Sequence, residues 1–303
     1  MLARLLQLVI LGALALAAVW FWAGWSHGYP VWAAVGAAVI IGGYALVLAL
    51  EFALLRLAHG TDPTPPASAA QLFRAWCGEV AAAPWVFCWR QAFRSKTFPD
   101  HLPADGSRRR GVLLLHGFVC NRGLWNPWLI RLTAQRTPVI ALNLEPVFGL
   151  IDDHIQPIEK GMARLEALTG LPPIVLAHSM GGLSLRRWWA EPGNELRVHH
   201  AITLGSPHHG TWLARFALTR NARQMQLNSP WLRSLASRES PGRYAHVTCF
   251  YGHCDNIVFP PSAATLPGAR NLHLAAVAHL DMADRHEPWQ ELMRLLAPDI
   301  EER

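Results

Sequence analysis

Charge is scarce in this chain of 303 residues: Asp, Glu, Lys and Arg make up 16%, against 51% hydrophobic residues. Lysine is nearly missing and occurs only at Lys96 and Lys160. Disorder needs low hydrophobicity and high charge, so this composition excludes it. It equally excludes an acidic or basic tail protein. The five cysteines, Cys77, Cys88, Cys120, Cys249 and Cys254, are odd in number and contain no CxxC pair. That argues against a disulfide framework or a zinc site, and free thiols suit a reducing compartment. No repeat, low-complexity segment or nucleic-acid-binding module accompanies the net charge of +6. No nucleic-acid partner is therefore expected, and a basic balance fits attraction to anionic lipid.

The missing charge is concentrated at one end. The 46 residues from Leu5 to Leu50 contain no Asp, Glu, Lys or Arg. Leu5 to Trp25 and Val31 to Leu50 are each long enough to cross hydrocarbon as a helix, which takes about 20 residues. Ser26-His27-Gly28-Tyr29-Pro30 forms the break, so the spans are expected as an antiparallel hairpin. Trp20, Trp22, Trp25, Tyr29 and Trp32 crowd that turn as an aromatic belt. Ala13, Ala17, Gly36 and Gly43 offer small surfaces for close helix approach. A signal peptide followed by a buried helix is the alternative. The first run is too long for an ordinary signal core and lacks a small-x-small cleavage site. Arg4 and the α-amine flank one end, Arg56 and Arg74 follow the other, and the turn carries no Lys or Arg. The positive-inside rule then predicts that both ends, and the rest of the chain after them, lie on the cytoplasmic side of the membrane.

Residues 58–96 read as a Pro-rich linker (Gly60 to Ser68) and a Trp- and Phe-rich amphipathic segment interrupted at Pro84. Its two helical pieces would lie on the membrane or on the domain. Arg108-Arg109-Arg110 reads as a solvated turn. From Gly111 short apolar runs alternate with helical stretches. Strands are expected at Val112–Leu115, Val139–Leu142, Ile174–Ala177, Ala201–Leu204, Val247–Tyr251 and Leu272–Ala275. Helices are expected at Leu124–Gln135, Asp153–Thr169, Met180–Ala190 and Pro288–Leu296. That alternation predicts an α/β fold, a mostly parallel sheet with helices on both faces, over residues 97–303, behind a transmembrane hairpin at 1–57.

The third strand runs into Ala177-His178-Ser179-Met180-Gly181-Gly182. A Ser between small residues, at a strand end and ahead of a helix, has the pattern of a nucleophile elbow. The helix beginning at Met180 offers N–H groups and a positive dipole end to developing negative charge. The first strand ends in His116-Gly117-Phe118, and the N–H groups of Phe118 and Met180 are the candidate oxyanion donors. His116 is expected to hold that loop structurally.

These segments, with Thr203-Leu204-Gly205-Ser206-Pro207-His208-His209-Gly210-Thr211, resemble the bacterial lipase and esterase branch of the α/β-hydrolase superfamily. The resemblance covers roughly Gly111 to Leu296. It implies a Ser–acid–His triad in chain order, an oxyanion hole, no required cofactor and often a mobile lid. Ala177 in place of a glycine, the hairpin, and the lack of the earliest strands of the full fold are departures. The acid should follow the penultimate strand, which selects Asp255 in Tyr251-Gly252-His253-Cys254-Asp255. Asp152 and Asp153 look like helix caps, and Asp281 and Asp284 come after the histidine. The base should follow the last strand, which selects His279 over His286, His253 and the in-strand His273. The insertion at about 211–240 carries enough Trp, Leu, Phe and Met to form a cap, with a packed helical pair as the plainer reading. Trp125, Trp128 and Phe148 are candidates for an acyl pocket or for core.

The expected activity is a membrane-anchored serine hydrolase of lipophilic carboxylic esters, with no cofactor and no metal. Its partners would be an ester substrate and the bilayer. An acyltransferase using the same acyl-enzyme, and a non-catalytic membrane scaffold, remain alternatives.

Overall fold

The computed structural model describes residues 1–103 and 109–297, so Arg108 of the arginine run lies outside the described residues. Arg109 and Arg110 each donate to a backbone carbonyl, of Gln135 at 2.9 Å and Pro172 at 2.7 Å, and so brace the turn.

Six strands form one sheet: β1 (Val112–Leu115), β2 (Val139–Ala141), β3 (Ile174–His178), β4 (His200–Leu204), β5 (Val247–Tyr251) and β6 (Arg270–His273). Their order is β2-β1-β3-β4-β5-β6 and every pairing is parallel. Alternation of side chains along each strand supplies two cores. Val112 and Leu114 join Trp125, Trp128 and Phe250 on one face; Leu113 and Leu115 join Trp188 and Met162 on the other. Trp125 and Trp128 are thus core residues. The expected continuous apolar strand Leu272–Ala275 is displaced. Here β6 starts at Arg270 and is largely exposed, His273 included, because an edge strand has only one neighbour to cover it. The opposite edge, β2, is buried and bonded to His101 through reciprocal backbone bonds at 3.0 and 2.8 Å.

The chain opens with α1 (Leu2–Ser26), α2 (Pro30–Gly42) and α3 (Tyr44–Ala58), the first of the helices that precede the sheet. By length and composition α1 can cross a membrane. The expected second span is not straight: α2 and α3 meet at Gly43 with a 54° bend. Close packing of α1 on α2 uses Gly24, where a Cβ would stand 2.8 Å from that of Ala33. Beyond the bend, α3 turns Phe52 and Leu55 into the α/β domain, against Cys254, Phe259 and Ala278.

Helix α4 (Ala69–Ala83) opens with a reciprocal capping box between Ser68 and Gln71. Pro84 does not end it. Proline has no N–H to donate to the i−4 carbonyl, and the backbone continues as a π-helical stretch, Pro84–Gln91. Trp76 Nε1 donates to Ala45 O at 3.0 Å and Tyr44 Oη to Val80 O at 2.9 Å, which ties α4 to α3.

The sheet is flanked by α5 (Asn126–Ala134), α6 (Ile155–Thr169) and α7 (Met180–Trp189). The insertion folds as α8 (Arg220–Gln224) and α9 (Pro230–Ala236), and α10 (His286–Leu296) closes the domain. Buried Arg186 of α7 is held by Glu239 through two hydrogen bonds at 2.9 and 2.6 Å. Replacing Glu239 by alanine leaves a buried guanidinium without its counter-charge. The expected loss is about 3–5 kcal/mol, read as a lowered denaturation midpoint, whereas removing surface-exposed Glu287 has little effect.

Candidate functional site

Strand β3 and helix α7 meet at Ser179, whose backbone is at φ 54°, ψ −128°. Positive φ is costly for a residue with a Cβ and survives only where surrounding structure enforces it. Here Ser179 N donates to Leu204 O of β4 at 2.8 Å, and β3 and α7 fix the residues on either side. The turn leaves no room at Gly181, where a Cβ would lie 2.7 Å from Leu115 O. The side chain is thereby presented at the carboxyl ends of the strands.

The loop after β1 reaches the same point. A Cβ on Gly117 would stand 2.7 Å from that of Ser179. Among the described residues, the N–H groups of Phe118 and Met180 have no protein acceptor. The ring of Phe118 packs with Met180 and Leu183 under the insertion, and edge-on to Phe148 at 6.0 Å.

Asp255 and His279 meet directly. His279 Nδ1 donates to Asp255 Oδ2 at 2.9 Å, and Asp255 Oδ1 accepts from the N–H groups of Ile257 and Val258 at 2.9 and 2.8 Å. That fixes the tautomer, with Nε2 left as acceptor. Both side chains are buried, and burial disfavours the imidazolium. The Asp255 carboxylate outweighs this, with further help from Glu79 and Glu51, and holds His279 above its ordinary value of 6.5. Gly205, at φ +54°, passes beneath the pair; a Cβ there would meet Asp255 Oδ2 at 2.8 Å and His279 Nδ1 at 3.0 Å. The Ser179 hydroxyl forms no hydrogen bond among the described residues. Its neighbour His178 links the two loops instead, its ring 4.7 Å from that of His279 and its Nε2 donating to His279 O at 3.0 Å. Burial lowers His178 to about 3, so it stays neutral.

The competing residues are occupied elsewhere. Asp153 caps a turn through Leu150 N at 2.8 Å, while Asp152 binds Arg187, Gln224 and Trp231. Asp281 and Asp284 pair with Arg285 and Arg90. His253 stacks on His273, 4.7 Å between centroids. His116 accepts from Leu144 N at 2.9 Å and donates to its neighbour Gly117 O, and burial lowers it to about 4, a structural arrangement.

Sequence reasoning did not single out four polar residues around the pair. Asn256 Oδ1 accepts from His279 N at 3.3 Å, and its Nδ2 donates to Glu51 Oε2 at 2.7 Å. Glu79 accepts from Leu280 N, and His178 makes the bridge described above. A signal for the two glutamates was present. Glu79 is the only acid between Gln71 and Arg94, and Glu51 is the first charge after the neutral stretch. Only packing shows where they point. Among the described residues, no cluster of His, Cys, Asp and Glu could hold a metal ion.

No protein-family model matches the sequence, and no curated protein matches it. Solved structures do. The mature lipase BlEst2 of Bacillus licheniformis is similar over 66% of this chain and 94% of its own, at 19% identity and a TM-score of 0.55. Lipase B of Aspergillus fumigatus is similar over 60% of this chain, at 23% identity and a TM-score of 0.52; the match spans 52% of that enzyme. The parallel six-stranded sheet with a strained serine at the end of β3 is thus the α/β-hydrolase fold that these lipases have.

Proposed function

We propose that this protein is a serine hydrolase of lipophilic carboxylic esters, held at a membrane by its first three helices. The observation that carries the reading is the convergence of Ser179 on its strained turn with the buried Asp255–His279 pair at the strand ends. His279 takes the proton of Ser179 as the hydroxyl oxygen attacks the acyl carbonyl. Asp255 holds the ring and stabilises the imidazolium. The N–H groups of Phe118 and Met180 receive the oxyanion, an interaction worth several kcal/mol in the transition state. Collapse expels the alcohol, which takes its proton from His279, and a water activated the same way releases the acid. Asp255 and His279 are buried, and the insertion packs Ala214, Met225 and Leu232 against Met180 and Phe118 while leaving Phe216 and Leu218 62% and 90% exposed. Opening of this cap toward lipid admits the acyl chain. The test is fluorophosphonate labelling of the purified full chain, with turnover of p-nitrophenyl esters of increasing chain length. Labelling at Ser179 and preference for longer chains are expected; an unlabelled protein refutes the reading.

Exposed aromatics support the membrane placement. Trp85, Trp89 and Phe93 are 55%, 43% and 43% exposed, in a row whose neighbouring ring centroids are 6.4 and 6.2 Å apart. The row borders α1, where Gln7 Nε2 donates to Ala92 O at 2.7 Å, and Arg90 and Arg94 edge a hollow of about 390 Å³ beside it. Amphipathic rings next to cationic side chains suit the headgroup layer. Replacing Trp85 and Trp89 together by serine should lower activity on a bilayer-embedded ester severalfold and leave turnover of a short soluble ester unchanged; equal loss on both substrates refutes the lipid contact. The charge pattern around the first helices, with Arg4, Arg56 and Arg74 outside the neutral stretch, supports a cytoplasmic placement of the catalytic domain.

A further inference from the structure

The helices that precede the α/β domain do more than attach to it: two of them send carboxylates to the loops that hold the acid and the base. Glu79 of α4 is only 4% exposed. Both its oxygens face the N–H of Leu280, the residue after His279, at 3.1 and 3.2 Å. Among the described residues Glu79 forms no ion pair. Glu51 of α3 accepts from Asn256, the residue after Asp255, and Asn256 in turn accepts from His279 N. One carboxylate thus grips each loop, at the position just beyond each triad member.

Burying an acid with no cation beside it is costly, and such an acid persists only with compensating hydrogen bonds. The charged groups that act on Glu79 are His279 and Asp255 on the triad loops. On the turn after His279 are Asp281 and Asp284, already neutralised by Arg285 and Arg90. The one group in this set left to gain from the negative charge of Glu79 is the imidazolium of His279. Burial pushes the Glu79 carboxyl up to about 7, while a charged His279 and the backbone N–H groups draw it down. The acid and the histidine therefore each respond to the charge on the other.

We propose that Glu79, with Glu51 on the second loop, is a positioning residue of the hydrolase site. It sets the placement and basicity of His279 from outside the α/β domain, so that the helices preceding that domain complete the site. This inference rests on the proposed function for its kinetic arm and is independent of it for its spectroscopic arm.

The experiment compares the full chain in detergent with Glu79→Gln and Glu79→Ala. Glutamine keeps an acceptor for Leu280 N and removes the charge; alanine removes both. With a short soluble ester, Glu79→Ala should lose on the order of 10²-fold in kcat with little change in KM, since a displaced base misaligns the attack. Glu79→Gln should recover part of that loss, with the acid limb of its pH–rate profile moved to lower pH. In parallel, 15N-histidine NMR follows the His279 ring, assigned by its loss in His279→Gln. The ring should titrate at lower pH in Glu79→Gln than in the parent. If the parent proves inactive, the proposed function falls, and the NMR titration still decides the role of Glu79. An unmoved His279 titration in a folded Glu79→Gln protein overturns the inference. So does a kcat loss that tracks only the folded fraction measured by circular dichroism.

Discussion

Replacement of Ser179 by alanine is expected to eliminate the proposed ester hydrolysis and to leave the fold in place. The hydroxyl makes no hydrogen bond to the described protein, so its removal breaks no structural contact. The backbone turn is enforced by Leu204 O and by the start of α7 rather than by the serine side chain. Loss of the nucleophile in a triad costs on the order of 10⁶ in kcat, with a small residue of catalysis from oxyanion donors and substrate binding. Turnover of a p-nitrophenyl ester, with circular dichroism as the fold control, measures this. Parent-like turnover by the alanine variant would sink the assignment.

The second large effect is expected for Asp255→Asn. The asparagine keeps Oδ1 for Ile257 N and Val258 N, so the loop retains its shape. Opposite His279 Nδ1 it can present an amide N–H, which favours the tautomer with the proton on Nε2, where it cannot take one from Ser179. The cost in kcat is about 10⁴ for such a change. The pH dependence moves as well. In the parent, Asp255 holds His279 above its ordinary value. The neutral base is present above that raised pKa and is lost as pH falls through it. Without the carboxylate, burial dominates and the histidine pKa drops, so the residual activity of Asp255→Asn should persist to lower pH. A pH–rate profile of parent and variant checks the sign; an acid limb that stays in place contradicts the pairing at 2.9 Å.

These two variants also mark how far the chain could be read unaided. Ser179 declares itself by local rules: a strand, a residue flanked by small neighbours, then a helix. Asp255 and His279 are selected mainly by order along the chain, and the structure pairs their side chains at 2.9 Å. With 15 histidines available, residue type carried almost no information. Strand positions were legible because Val112–Leu115 and Val247–Tyr251 are apolar runs bounded by polar residues. The last strand was misplaced because an edge strand buries little and leaves a weak apolar pattern. The bend at Gly43 was equally hidden. Val31 to Leu50 is uniformly apolar, and hydropathy cannot register a change in helix direction.

Taken alone, the sequence determined the quantities that depend on neighbours in the chain. These are the apolar stretch from Leu5 to Leu50, the alternation of strands and helices, and the strand-to-helix turn that carries Ser179. Tertiary structure decided what depends on partners far apart along the chain. It brings Glu79 201 residues upstream of its hydrogen-bond partner Leu280, and Glu51 205 residues upstream of Asn256. The physical reason is that a lone carboxylate in an apolar segment has no assigned meaning until packing removes it from water. Once it is buried, the cost of its charge must be offset by particular N–H groups and by a particular histidine. Those are fixed by the way α3 and α4 lie across the loops after β5 and β6.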